Sequence, residues 1–160
     1  MDEAISLKKE KFNNEATIVS MSLGGPSSPV LNSAVSSMKN AGILVIVSAG
    51  NSNYDACNFS PATSNDAFTV EISKNNISDT RSVYSNYGDC VYIFKPWTNI
   101  YSTVPGNKYD VFSGTSMATP IVSGFASAIA GSLRLTDPDE IREAVLKSFD
   151  GEKKSDFIDN

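Results

Sequence analysis

The sequence predicts an α/β fold, a parallel sheet with helices on both of its faces. Three consecutive patterns support this prediction: a strand at residues 16–21, a helix at residues 28–41 and a second strand at residues 43–47. Such a strand–helix–strand succession within about 30 residues is a βαβ unit, whose two strands run parallel. The second strand is apolar at every position, as is typical of a strand that is covered on both faces.

The N-terminal part of the chain has one further helix and clear boundary signals. Residues 2–12 are rich in charged side chains and predict a short helix. β-branched residues dominate the strand at 16–21, and a glycine-containing turn at residues 22–26 follows it. Ser28 before a proline is a typical helix start, and Gly42 is placed to end that helix.

The C-terminal half alternates strands with loops before two helices close the chain. Residues 52–66 are polar and predict a loop. Strands are predicted at residues 68–72, 90–94, 100–104 and 109–112, the last two forming a hairpin. Residues 115–133 carry apolar side chains at helical spacing with small residues between them, which predicts a helix buried on nearly every side. Asp137 and Pro138 begin a last amphipathic helix, and the charged residues 150–160 are predicted to lie at the surface.

Composition argues against several classes of function. The net charge is −5 and the isoelectric point about 4.6, so we expect neither a nucleic acid nor an anionic membrane as partner. No continuous apolar run reaches the ~20 residues of a spanning helix, and the acidic start lacks the basic-then-apolar order of a signal peptide. The chain contains no histidine, which removes the usual general base and the usual zinc ligand, and no metal site is predicted.

Two polar residues stand where an α/β sheet places its chemistry. Ser116 follows a glycine at the start of the apolar helix, where unpaired backbone N–H groups and the helix dipole favour negative charge. Asn51 follows the all-apolar strand, at the sheet edge where ligands bind. Taken alone, such a serine is more often a helix N-cap and such an asparagine a turn residue.

Residues 114–120, Gly-Thr-Ser-Met-Ala-Thr-Pro, match at all seven positions the nucleophile motif of the subtilases, the subtilisin-like serine proteases. Further matches keep the family's order: residues 20–25 resemble its substrate-binding strand, and residues 49–51 resemble its oxyanion segment. Residues 58–62 and 84–88 are similar to the proteinase K branch in particular. The resemblance covers nearly the whole chain and implies a parallel-sheet domain of the subtilisin kind, incomplete on its N-terminal side, with residues 1–160 as its C-terminal portion.

The resemblance implies a role for each matched residue. Ser116 would be the nucleophile, and its backbone N–H and the side-chain amide of Asn51 would hold the oxyanion. Residues 22–24, which follow the first predicted strand, would pair with an extended peptide substrate. Gly25, Ala49 and Gly50 would help to form the wall of the pocket for the substrate residue before the cut. The residues implied in substrate binding are Ser22, Leu23, Gly24, Gly25, Ala49, Gly50 and Thr115.

The triad is the main departure from the family. In subtilases it runs Asp, His, Ser along the chain, but residues 1–19 contain neither a histidine nor the family's Asp-Ser/Thr-Gly turn. We therefore expect a serine endopeptidase acting by acyl transfer through Ser116, with the base and its aspartate supplied by a missing N-terminal part of the domain. The chain alone would then be inactive. The alternative is a catalytically dead, subtilase-derived binding module or a non-functional remnant.

The two cysteines are open to two interpretations. In a chain of this size they are more often buried thiols than a bridge. Relatives in the proteinase K branch pair cysteines at the positions of Cys57 and Cys90, however, and the resemblance implies a disulfide here. Such a bond and the glycosylation sequons at Asn58 and Asn76 predict an extracellular, secretory or vacuolar location for the parent protein.

Three other positions differ from the family. Tyr92 stands where some proteinase K-like enzymes have a calcium-binding aspartate, so that calcium site is not carried over and no cofactor is predicted. Trp97 stands where the family usually has glycine, which is expected to reshape the loop. Ile121 replaces a histidine that often follows the motif's proline but does not belong to the triad.

Overall fold

The computed structural model describes residues 1–72, 82–95 and 98–149. Its α-helices in these ranges are α1 (Asp2–Lys11), α2 (Pro29–Asn40), α3 (Thr115–Leu133) and α4 (Pro138–Ser148). Its strands are β1 (Thr17–Met21), β2 (Gly25–Pro26), β3 (Ile43–Ser48), β4 (Phe59–Ser60), β5 (Ala67–Ile72), β6 (Ile93–Lys95), β7 (Ile100–Val104) and β8 (Lys108–Phe112). A short 3₁₀ helix, Ala56–Asn58, precedes β4.

The core is a parallel sheet with the strand order β1-β3-β5-β6. Strand β3 lies inside it and is buried at all six positions, because helices cover both faces. Its side chains alternate: Leu44 and Ile46 face α3 and α4, whereas Val45 and Val47 face α2. The predicted α/β class with helices on both faces is confirmed.

Helix starts follow the predicted capping residues. The Leu31 N–H donates to the Ser28 hydroxyl oxygen at 3.3 Å, and a proline occupies the first position of α2. The Asp137 carboxylate accepts from the N–H groups of Asp139 and Glu140 at 2.9 and 3.0 Å. These bonds satisfy donors that a helix leaves without an internal partner.

One strand prediction and one loop prediction need correction. The strand predicted at residues 90–94 begins only at Ile93, because a turn closed by Val91 N–H on the Gly88 carbonyl (3.1 Å) occupies its first residues. The segment predicted as loop, residues 52–66, contains the 3₁₀ helix and β4, and β4 pairs antiparallel with β2. The second difference comes from a pairing partner far away in the sequence, which local periodicity does not report.

Helix α3 is not buried on every side, so that prediction was wrong. It packs on the sheet with seven buried residues, but Phe125 is 37% and Leu133 60% exposed. The reason is that α3 contacts the sheet and α4, and no described part of the chain covers its outer face. By length and composition α3 is the one helix in the described ranges that could cross a membrane, a test that core helices of soluble proteins also pass.

Lys39 joins three parts of the fold at the amino-terminal end of the sheet. Its ammonium group, at the end of α2, lies 3.0 Å from Asp139 in α4 and 3.5 Å from Asp66 before β5. The hydrogen bond to Asp139 is the main cause that raises the pKa of Lys39 above its ordinary value. A raised pKa means that folding favours the charged amine, so this contribution to stability is complete below pH 10.5 and declines as the pH rises through the folded-state value.

We predict that Lys39→Gln lowers the free energy of unfolding by about 1 kcal/mol at pH 7, because the pair is partly exposed and the gain is limited by solvent. Urea unfolding at pH 7, 9 and 11 checks this, and the difference from the parent chain should shrink at pH 11. Lys147→Gln is the matched control, since its pair with Glu143 is about two-thirds exposed and should contribute less. An undiminished difference at pH 11 would contradict the prediction.

Candidate active site

The carboxyl ends of β1 and β3 and the amino end of α3 meet around one open cleft of about 430 Å³. All nine residues predicted for catalysis or substrate binding line it, so the fold brings the whole predicted set together. They are Ser22, Leu23, Gly24, Gly25, Ala49, Gly50, Asn51, Thr115 and Ser116. No charged side chain belongs to the lining in the described ranges.

Ser116 is the second residue of α3 and is half-buried. Its carbonyl oxygen accepts a hydrogen bond from the Ser22 hydroxyl at 2.7 Å, which holds the end of β1 against the helix. The Gly114 carbonyl accepts from Met117 and Ala118 N–H at 2.8 and 3.4 Å. The Ser116 N–H lies before these donors and has no acceptor among the described residues, so it is available to a ligand oxygen.

Asn51 is anchored to the helix through its side-chain oxygen. Its Oδ1 accepts from the Thr115 backbone N–H at 3.0 Å and from the Thr115 hydroxyl at 3.1 Å. Because the oxygen is occupied by both bonds, the NH₂ group is the end of this amide that can donate to a ligand. Thr115 also accepts from Gly50 N–H at 3.2 Å and is fully buried, so its polar atoms hold Asn51 and Gly50 in place.

The opposite wall contains residues to which the sequence analysis gave no role. Phe59, Ser60 and Ala62 line the cleft because β4 pairs with β2 beside Gly25. Ser60 is fully buried, and its hydroxyl oxygen accepts from Ser28 N–H at 2.8 Å. These residues lie in a segment that matched the proteinase K branch, and this match was the available signal for their role.

Gly50 is a position in the cleft where only glycine fits. Its φ is +101°, and a Cβ built there would lie 2.5 Å from Nδ2 of Asn86. Asn86 is buried and also lines the cleft, although the sequence gave it no role beyond a family match. The close approach of these two segments therefore requires a residue without a side chain at position 50.

The predicted disulfide between Cys57 and Cys90 is present and is confirmed. It joins the loop that follows Asn51 to the segment that carries Asn86. Asn58, the first predicted sequon, is exposed. The predictions made for Asn76, Trp97 and residues 150–160 lie outside the described residues.

The site can stabilise negative charge but does not itself supply a base. Two neutral donors face the cleft at a helix amino end, while the whole chain has no histidine. Within the described ranges no group of three or more metal-binding side chains is found.

Tyr92 stands where some proteinase K-like enzymes have a calcium-binding aspartate. Here its ring packs beneath the Arg142 guanidinium, whose carbon lies 3.9 Å from the ring centroid.

Comparison with known proteins places these features in one family. The sequence model of the protein family described as "Subtilase family" matches residues 1–159 of this chain. The alkaline serine protease ver112 of Corniculantispora psalliotae is 44% identical over 131 residues, covering 82% of this chain and 34% of that protein. A subtilisin-like protease of Coccidioides posadasii is 42% identical over 160 residues, covering 99% of this chain and 31% of that protein.

A solved structure, a cold-adapted subtilisin-like serine proteinase, is similar with a TM-score of 0.75 and 38% identity. The match covers 87% of this chain and 51% of that one. A protease from Pseudoalteromonas arctica gives a TM-score of 0.70 at 29% identity, covering 80% of this chain and 42% of its own. The chain thus spans about a third of the two curated relatives and about half of the first structural neighbour.

We predict that Gly50→Ala lowers the free energy of unfolding by more than about 1 kcal/mol, since alanine disfavours a positive φ and its Cβ would displace Asn86. Gly106→Ala is the control, because Gly106 has a φ of +85° but open space where a Cβ would be. Urea unfolding of both variants compares the two effects. Equal losses would show that the contact with Asn86 adds nothing.

We predict that the double substitution Cys57→Ser and Cys90→Ser lowers the free energy of unfolding by about 3–4 kcal/mol, because the bond closes a loop with a sequence separation of 33. Thermal or urea unfolding measures the loss. The denatured, unreduced parent chain should show no free thiol in a thiol titration. Two titratable thiols would contradict the disulfide.

Proposed function

Because the chain belongs to the subtilase family of subtilisin-like serine proteases, we propose that it is part of a serine endopeptidase whose nucleophile is Ser116. The observation that carries the proposal is the anchoring of Asn51: Thr115 occupies its side-chain oxygen, which leaves the NH₂ group for the cleft beside Ser116. Together with the Ser116 N–H, this group would donate to a substrate carbonyl oxygen as it becomes negative.

The reaction would be acyl transfer. Ser116 Oγ would add to the scissile carbonyl carbon while a base takes the hydroxyl proton, and the two donors would hold the resulting oxyanion. When the C–N bond breaks, the base would pass its proton to the leaving amine, and water would then release the acyl group. Residues 22–24 are exposed and line the cleft, which supports binding of an extended peptide along them.

The base must come from outside these 160 residues, because they contain no histidine. We infer that residues 1–160 form the C-terminal portion of the peptidase domain, and that another part of the same domain supplies the histidine and the aspartate of the triad. The coverage of a third of the curated relatives supports this inference. The disulfide supports an oxidising location for the parent protein, such as the extracellular space, the secretory pathway or the vacuole.

A second candidate function is a binding module without catalysis. The absence of histidine favours it, since a serine hydroxyl without a base is a weak nucleophile. The same cleft would then hold an extended peptide without cutting it. The two candidates differ in one property, the reactivity of Ser116 once a base is present.

We predict that the chain alone neither hydrolyses peptides nor reacts with a fluorophosphonate probe. Mixed or fused with a preceding subtilase segment that contains the triad aspartate and histidine, it should gain both activities. Ser116→Ala should then lower turnover by about 10⁶-fold, the loss measured for this residue in subtilisin, the family's own reference case. Ser113→Ala is the matched control, because Ser113 lies three residues away outside the cleft lining.

Three outcomes decide between the candidates. Labelling of the complemented chain that depends on Ser116 supports the peptidase. Peptide binding in the cleft without labelling or turnover supports the binding module. Labelling of the chain alone that is lost in Ser116→Ala would contradict the need for an external base.

A further inference from the structure

We propose that Asn86 is a positioning residue that sets the place of Asn51, a role that rests on the proposed function of Asn51 in holding the oxyanion. Asn86 is 1% exposed and lies on a segment separate from both β3 and α3. It touches neither Ser116 nor Asn51 through any hydrogen bond in the described ranges. It acts instead on the backbone that surrounds Asn51.

The side chain of Asn86 bonds to the loop on both sides of Asn51. Its Nδ2 donates to the carbonyl oxygen of Ala49 at 2.8 Å, before Asn51. Its Oδ1 accepts from the N–H groups of Ser52 and Tyr54 at 3.0 and 3.1 Å, after Asn51. One planar amide therefore fixes both ends of the turn that presents the oxyanion donor.

Backbone hydrogen bonds of residues 84–87 also hold the turn around Asn51. Asn86 N–H donates to the Gly50 carbonyl at 2.9 Å, Asn53 N–H to the Tyr84 carbonyl at 2.9 Å, and Tyr87 N–H to the Tyr54 carbonyl at 3.1 Å. The Cys57–Cys90 disulfide closes the contact covalently a few residues further on. These bonds place the Asn86 amide against the turn, and the missing side chain of Gly50 makes room for it.

Asn51 needs such support because it is itself exposed and so is not held by packing. Thr115, at the start of α3, holds the side-chain oxygen of Asn51. The position of the Asn51 backbone is then set by the turn to which it belongs. An oxyanion donor is effective only where it stands about 3 Å from the oxygen on which charge develops. Loosening the turn would therefore reduce catalysis without removing any group that touches the substrate.

Asparagine is the residue type that this position needs. The turn presents a carbonyl acceptor on one side and two N–H donors on the other, and a side-chain amide offers both functions at a fixed spacing. Aspartate would keep the acceptor and lose the donor to Ala49. A neutral amide also adds no charge next to the cleft.

The test measures the stability of the hydrogen bond from the Thr115 N–H to Oδ1 of Asn51. This bond forms only when Asn51 is in the position that the structure shows. Native-state hydrogen exchange of the Thr115 amide in the 160-residue chain is compared with exchange of Val45 in the buried strand β3. We expect Asn86→Ala to accelerate Thr115 exchange about tenfold more than Val45 exchange, as local loosening requires. Asn86→Asp should give a smaller excess in the same direction, and it decides the test if Asn86→Ala does not fold.

Asp137→Ala is the matched control, since Asp137 also accepts two backbone N–H groups but caps α4 away from the cleft. It should accelerate both amides by the same factor. The proposal is overturned if the Asn86 variants also raise both rates equally, because the role of Asn86 would then be general stability alone.

Activity in the complemented domain provides the second readout. Asn86→Ala should lower kcat about 10- to 100-fold with little change in KM, below the 10²–10³ that the oxyanion asparagine contributes in subtilisin, the reference case for that value. In an Asn51→Ala background it should lower kcat no further, because its effect passes through Asn51. Additive losses would overturn the proposal.

The two readouts separate this proposal from the proposed function. If no variant shows turnover while Thr115 exchange responds to Asn86→Ala, the peptidase assignment fails and the positioning of Asn51 stands. If turnover is present and Asn86→Ala changes neither exchange nor kcat, the positioning role is wrong and the peptidase assignment stands.

Discussion

The pair of hydrogen bonds from Thr115 to Oδ1 of Asn51 is the interaction on which the site depends. It joins the segment after β3 to the amino end of α3, although Asn51 and Thr115 are 64 residues apart in the sequence. Because a buried threonine occupies the amide oxygen, the orientation of the Asn51 side chain follows from the fold and not from a ligand. In the proposed function, the amide donor of Asn51 would then need no rearrangement when charge develops on a bound carbonyl.

The parallel sheet makes this junction possible. Parallel strands end at the same edge, so the segments after β1 and β3 lie side by side, and α3 brings its amino end to the same place. The cleft lining carries no charged residue in the described ranges, and its polar side chains are serine and threonine hydroxyls and the amides of Asn51 and Asn86. The Lys39 cluster, with its two carboxylates, lies at the other end of the sheet and ties its layers together there.

Helix α3 carries both Ser116, which has no base beside it in this chain, and an apolar outer face that the described residues leave uncovered. Ser116 stands on a helix whose inner face packs on the sheet and whose outer face, including Phe125 and Leu133, is exposed in the described part of the chain. The proposed nucleophile and the proposed oxyanion donors all lie in this chain, whereas the chain contains no histidine. Under the proposed function, Ser116 would therefore need a base from another part of the domain before it could act.

The sequence by itself determined the features that depend on neighbouring residues. The apolar run of β3, the caps at Ser28 and Asp137 and the motif around Ser116 are local patterns, because strand burial and helix capping act within a few residues. They were enough to predict the fold class, the helix starts and two candidate site residues, Ser116 and Asn51. The resemblance to a family added the seven predicted substrate-binding residues, which also line the cleft, and the disulfide.

Only the tertiary structure decided which distant segments meet. Asn86 lies 37 residues beyond Ala49, whose carbonyl it binds, and β4 pairs with β2 across a similar distance. The exposed face of α3 likewise follows from which parts of the fold pack beside it. A hydrogen bond between remote backbone groups leaves no periodic trace in the sequence, because its partners are brought together by the folded sheet and not by their spacing along the chain.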